Sequence, residues 1–185
     1  MGNIKLLIIW LAIASIGIKA PLVVAADEQD AADEMLAKAA QLEKEGRLAD
    51  AVRLYGEIIV AYPDHPRAFN NFGAVLLRSG KYDEAKKAFE RAATLDPSYQ
   101  SPFNNLGYMY LILEDYKSAE SYLTKAAELD PHNEATLNNL RACYIVQDHY
   151  EDAAAQWEKL APLAPSNARI RQDLSDIYLK LEKLD

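Results

Sequence analysis

One cysteine in 185 residues excludes an intramolecular disulfide, so the fold around Cys143 must be held by packing alone. In the helical phase described below, that thiol reads as buried and inert. The three histidines, His65, His132 and His149, stand far apart, with no second imidazole or thiol at a metal-ligand spacing. Glycine-rich phosphate loops are missing, and no serine shares an element with a histidine. Adjacent acids such as Asp27 with Glu28, or Glu151 with Asp152, read as solvated faces rather than acid–base pairs. Neither an enzyme nor a cofactor is expected, and no small-molecule substrate is indicated. Positive charge is in deficit, with 20 Lys and Arg against 28 Asp and Glu and a net charge of −8. Such a field repels phosphate backbones and anionic headgroups, so nucleic acid is not expected as a partner.

Long apolar runs are missing as well, with one exception. After Lys5, residues 6–18 form an unbroken apolar or small-residue run of 13, which Lys19 interrupts. A membrane span needs about 20 apolar residues. The run is therefore read as a Sec-type export signal over residues 1–26, with Val24, Ala25 and Ala26 supplying the small side chains of a cleavage site near Ala26. No cysteine lies near that site, which argues against a bacterial lipoprotein. The expected location of the mature chain, residues 27–185, is periplasmic or secreted. The alternative is an uncleaved anchor in the inner membrane through residues 6–26, and only then is the membrane a partner. Removing Lys5 and Lys19 leaves 18 basic residues against 28 acidic ones, a net charge of −10.

What the chain does have is a period. FNNFG at 69–73 returns as FNNLG at 103–107 and as LNNLR at 137–141, each copy 34 residues after the last. The repeat windows are 32–65, 66–99, 100–133 and 134–167, with a remainder at 168–185. Numbered from 1 to 34, position 4 holds Met35, Phe69, Phe103 and Leu137, and position 11 holds Leu42, Leu76, Tyr110 and Tyr144. Position 24 holds Tyr55, Phe89, Leu123 and Trp157. Apolar residues at 4, 7 and 11 form one stripe of a first helix, and those at 17, 20, 24 and 27 form one stripe of a second. Position 20 is always alanine (Ala51, Ala85, Ala119, Ala153), which lets the two helices approach closely. Pro63, Pro97, Pro131 and Pro165 occupy position 32, where the ring ends the second helix.

These columns resemble the tetratricopeptide repeat, W-x2-L-G-x2-Y followed by A-x3-F and P. The best copy runs through Phe69, Phe72, Gly73, Leu76, Gly80, Tyr82, Ala85, Phe89, Ala92 and Pro97, and the resemblance covers residues 32–167 without a gap. It implies an all-α fold: a right-handed α-solenoid of four helical hairpins whose first helices line a concave groove. Residues 168–184 are expected to form a capping helix, with Arg169, Arg171, Gln172, Asp173, Asp176, Lys180 and Lys183 as its wet outer surface, for nine helices in all. Repeat 1, with Lys38 at position 7, suits a solvent-facing end. Repeat 4 departs most, with Arg141 where Gly73 and Gly107 stand in earlier copies, and with Pro162 placed to end its second helix about one turn early. The geometry is expected to be least regular there.

The resemblance also implies where a partner would lie. Family grooves are built from first-helix positions 2, 5, 6, 9, 12 and 13. Position 5 gives Asn70, Asn104 and Asn138 after Leu36, and position 6 gives Asn71, Asn105 and Asn139 after Ala37. Beside this carboxamide ladder run Tyr108, Leu77, Arg78, Leu111, Ile112, Ile145, Val146 and Leu179. Asparagine can pair with the backbone of an extended chain, and it can equally tie one helix to the next. The family clamp for a C-terminal carboxylate needs lysine and arginine in columns that here hold Asn70, Ala135 and Asn139, so that mode is disfavoured. Three functions are compatible with these readings. The first is an exported adaptor that binds a partner peptide or helix in the groove, the second a carrier or holdase for exported proteins, and the third a scaffold that oligomerises through convex Tyr and Trp.

Overall fold

The computed structural model describes residues 22–183. Most of the expected export signal therefore lies outside the described residues, and residues 22–26 form the backbone of the opening turns of the first helix. Nine helices follow one another among the described residues, with no strand. They are α1 (Leu22–Lys44), α2 (Leu48–Ala61), α3 (Pro66–Arg78), α4 (Tyr82–Leu95), α5 (Gln100–Ile112), α6 (Tyr116–Leu129), α7 (Glu134–Ile145), α8 (Tyr150–Leu160) and α9 (Ala168–Leu181). The first eight pair as the hairpins of repeats 1 to 4, and α9 closes the array. α1 begins well ahead of Ala32, so repeat 1 carries an N-terminal extension that the repeat window does not include.

Each hairpin turns in the same way. At position 15 the backbone enters the left-handed region, with φ of 74° at Gly46 and Gly80, 59° at Glu114 and 54° at Asp148. The amide after it then reaches back to the carbonyl at position 11: Arg47 to Leu42, Lys81 to Leu76, Asp115 to Tyr110 and His149 to Tyr144, at 2.9–3.1 Å. This pairing closes the C-terminus of each first helix and reverses the chain. Glycine adopts that φ without strain, whereas Glu114 and Asp148 adopt it at a cost.

The small residues set how closely the two helices lie. Ala51, Ala85 and Ala119 are wholly buried. A methyl group added at Gly73 would lie 2.7 Å from the Phe89 ring, and one at Gly107 would lie 2.4 Å from Leu123 Cγ and 3.2 Å from the Ala119 carbonyl oxygen. Positions 8, 20 and 24 therefore form one interlocking contact, and any side chain at position 8 must displace it.

Repeat 4 lacks this contact. Arg141 occupies position 8, and α7 and α8 approach one another over far less of their length than α3 and α4 or α5 and α6. α8 ends at Leu160, whereas α2, α4 and α6 end three residues later in register at Ala61, Leu95 and Leu129. Both follow the expectations set by Arg141 and Pro162. Trp157 stays fully buried, and its ring meets Tyr144 edge-on at 6.2 Å between centroids. Its burial removes the tryptophan from the convex association surface considered above. Asp173 also departs from expectation. It is 2% exposed rather than wet, because Arg169 grips its carboxylate at 2.9 and 3.0 Å and Arg141 approaches it at 3.6 Å.

Candidate peptide-binding surface

The asparagine ladder is a chain of clasps between successive first helices. Asn105 on α5 donates to Asn70 Oδ1 on α3 at 2.9 Å, and Asn139 on α7 donates to Asn104 Oδ1 on α5 at 3.0 Å. The rule is that position 6 of one repeat donates to position 5 of the repeat before it. A period of 34 brings these two columns face to face. At the N-terminal end Leu36 stands at position 5 and offers no acceptor, so Asn71 instead accepts from Asn70 Nδ2 at 3.2 Å. At the C-terminal end Asp173 stands at position 6 and has no hydrogen to give. Arg169 supplies it, donating to Asn138 Oδ1 at 2.8 Å while its Nε holds Asp173.

These bonds change what the asparagines can offer a ligand. Asn70 is 6% exposed, and both ends of its carboxamide are engaged, so it belongs to the spine rather than to an open surface. Asn104 Oδ1 accepts a second bond from the buried Thr136 hydroxyl at 3.2 Å, and Gln100 in turn donates to Thr136. Asn71, Asn105 and Asn139 are partly buried, and Asn138 is exposed beneath Arg169. Thr136 and Gln100 belong to this network, and neither spacing nor type singles them out in the sequence; Arg169, expected on the wet outer surface of the last helix, belongs to it as well.

The apolar row beside the ladder is open. Tyr108 is 46% exposed, Ile112 44% and Ile145 48%, and Val146 and Leu179 extend the row toward α9. Leu77 and Leu111 are half-buried between them. These side chains stand at positions 9, 12 and 13 of successive first helices, so they repeat at the spacing of the solenoid. Arg78, the groove cation of repeat 2, is paired with Glu43 of α1, and Arg67 is paired with Asp33 at 3.0 Å. Their charge is therefore satisfied within the fold, and the N-terminal end of the row presents little free cation to an acidic group.

Other chemistry is sparse. Among the described residues no group of acids, histidines or cysteine is arranged to hold a metal ion, and no helix is long and apolar enough to cross a membrane. His65 caps α3 by accepting from the Ala68 amide at 3.3 Å, and its other nitrogen lies 3.6 Å from Asp33. Cys143 is buried and donates to the Tyr116 carbonyl at 3.4 Å; burial pushes its thiol from 9.0 up to about 11, which suppresses the nucleophilic thiolate.

A family model for the cilia and flagella-associated protein 70 middle TPR-like domain matches residues 35–138, and a tetratricopeptide repeat model matches residues 110–171. The chain belongs to the tetratricopeptide repeat family. Among solved structures it is similar to the first TPR of Spaghetti (RPAP3) bound to HSP90 peptide SRMEEVD, at 23% identity and a TM-score of 0.60, covering 63% of this chain and 93% of that one. The Sgt2 TPR domain from Aspergillus fumigatus is 21% identical with a TM-score of 0.60, covering 65% of this chain and 82% of that one. MamA is 18% identical with a TM-score of 0.61, covering 80% of each chain. At these identities the likeness establishes the fold. Among curated proteins, none matches the chain at a significant level.

Proposed function

We propose that this tetratricopeptide repeat protein is a non-enzymatic adaptor of the cell envelope, exported by its N-terminal segment, that holds a peptide or helix of a protein partner along the first helices of repeats 2 to 4. The observation that carries this reading is the open apolar row Tyr108, Ile112 and Ile145, repeated in register beside a ladder of asparagines that is already bonded. Burial of partner side chains on that row supplies the affinity. Asn71, Asn105, Asn138 and Asn139 border the row, and Asn105 and Asn139 hold the helices that carry it in register. The similar Spaghetti domain was solved with a bound HSP90 peptide, and a second TPR domain, from human RPAP3, with an HSP70 peptide, which supports a peptide as the class of ligand.

Affinity capture from the exported fraction with Ile112→Asp and Ile145→Asp tests the reading. Loss of a specific partner, with helicity and melting temperature unchanged, is the expected result; retained capture refutes it. The same exposed row also favours a second reading, a holdase for exported chains. That reading requires the protein to suppress aggregation of several unrelated unfolded proteins, and capture of one partner alone rejects it.

A further inference from the structure

The splayed end of the array contains a cleft of about 500 Å³ between α7 and α9. Its volume lies within the range of ligand pockets, roughly 300–1,000 Å³. Ile145, Ile177 and Leu179 give it an apolar floor, and Arg141, Lys180 and Lys183 bring three cations to it. The cleft exists where Arg141 has replaced the glycine that locks repeats 2 and 3.

Three cations against two carboxylates, Asp173 and Asp176, make this cleft locally positive in an acidic molecule. In repeats 1 and 2, Arg47, Arg53, Arg67, Arg78 and Arg91 all pair with carboxylates. Around the cleft, Asp173 is already held by two close bonds from Arg169, which leaves the guanidinium of Arg141 at the longer distance of 3.6 Å. Lys180 and Lys183 are exposed and make no ion pair with any described residue. Asp176 is the remaining carboxylate of the lining, and it too has no partner among the described residues. Two lysines without an ion pair and a loosely paired arginine around an apolar floor complement a ligand of opposite charge that carries an apolar group.

We infer that this cleft binds a short acidic segment of a protein partner, one apolar side chain seated on Ile145, Ile177 and Leu179 and its flanking carboxylates facing Lys180, Lys183 and Arg141. The inference rests on the adaptor reading and adds to it the chemistry of the partner and a second anchoring point at the C-terminal end of the apolar row.

The probe is a fluorescein-labelled nonapeptide of alternating leucine and glutamate, titrated by anisotropy into the full chain, beside versions with glutamine or lysine in place of glutamate. The glutamate peptide binds tightest and is weakened by salt. Lys180→Glu with Lys183→Glu weakens it at least tenfold, and Asp176→Asn tightens it two- to threefold, an opposite shift that misfolding cannot produce. Equal binding of the glutamine or lysine peptide overturns the inference, as does an affinity unmoved by the lysine variants. If the lysine variants leave capture of the exported partner intact while Ile112→Asp abolishes it, the acidic-segment inference falls and the adaptor reading stands.

Discussion

Repeats 3 and 4 run on nearly the same pattern, yet one closes and the other opens. In repeat 3 the Gly107 backbone lies against Leu123 and Ala119 so tightly that no side chain fits. In repeat 4 a single change of residue type at the same position, Arg141, brings a long cationic stem into that contact, and the helices separate. The difference teaches that the solenoid is held by two independent devices. One is the packing of positions 8, 20 and 24 within a hairpin, and the other is the clasp of positions 5 and 6 between hairpins. Repeat 4 loses the first and keeps the second, since Asn139 still reaches Asn104 at 3.0 Å. That is why the array continues through a loosened hairpin.

The comparison can be broken most forcefully by giving repeat 3 the residue of repeat 4. Gly107→Arg should lower the stability of the chain by about 3 kcal/mol, the upper part of the range for overpacking, as measured by urea denaturation. The clasp is tested by Asn105→Ala, which leaves the buried Asn70 Oδ1 without its inter-repeat donor and should cost about 1–2 kcal/mol. A third substitution sharpens the contrast between the hairpin turns. Glu114→Gly relieves a left-handed residue in repeat 3 and should raise stability by about 0.5–1 kcal/mol, whereas Gly80→Glu should lower it by a similar amount. The smallest effect is expected where the hairpin is already open. Arg141→Ala removes only a half-exposed side chain 3.6 Å from Asp173 and should change stability by about 0.5 kcal/mol.

Much of the fold was legible in the sequence because a period of 34 constrains many columns at once. In repeats 1 to 3 the alanines of position 20 and the prolines of position 32 each predicted a contact or a helix end that the structure contains. Arg141 and Pro162 marked the irregular hairpin for the same reason. The turn at position 15 was less legible, since Gly46 and Gly80 signal it but Glu114 and Asp148 do not. The binding surface was harder to read, because a column names which face a residue occupies and not what it touches there. Asn70 shares the groove face, yet its carboxamide is consumed by Asn71 and Asn105. The i,i+4 spacing of Arg169 and Asp173 was a readable pairing, but the bond by which Arg169 also reaches across to Asn138 leaves no mark in a pattern of residue types.

The central claim is that the asparagine ladder holds the solenoid together while the apolar row beside it binds the partner. Comparing Asn105→Ala with Ile112→Asp in one experiment, reading both melting temperature and the amount of partner captured per folded molecule, separates the two roles. The account predicts a lower melting temperature and undiminished capture for Asn105→Ala, and an unchanged melting temperature with lost capture for Ile112→Asp. Capture lost by Asn105→Ala at an unchanged melting temperature, with Ile112→Asp binding normally, would contradict it.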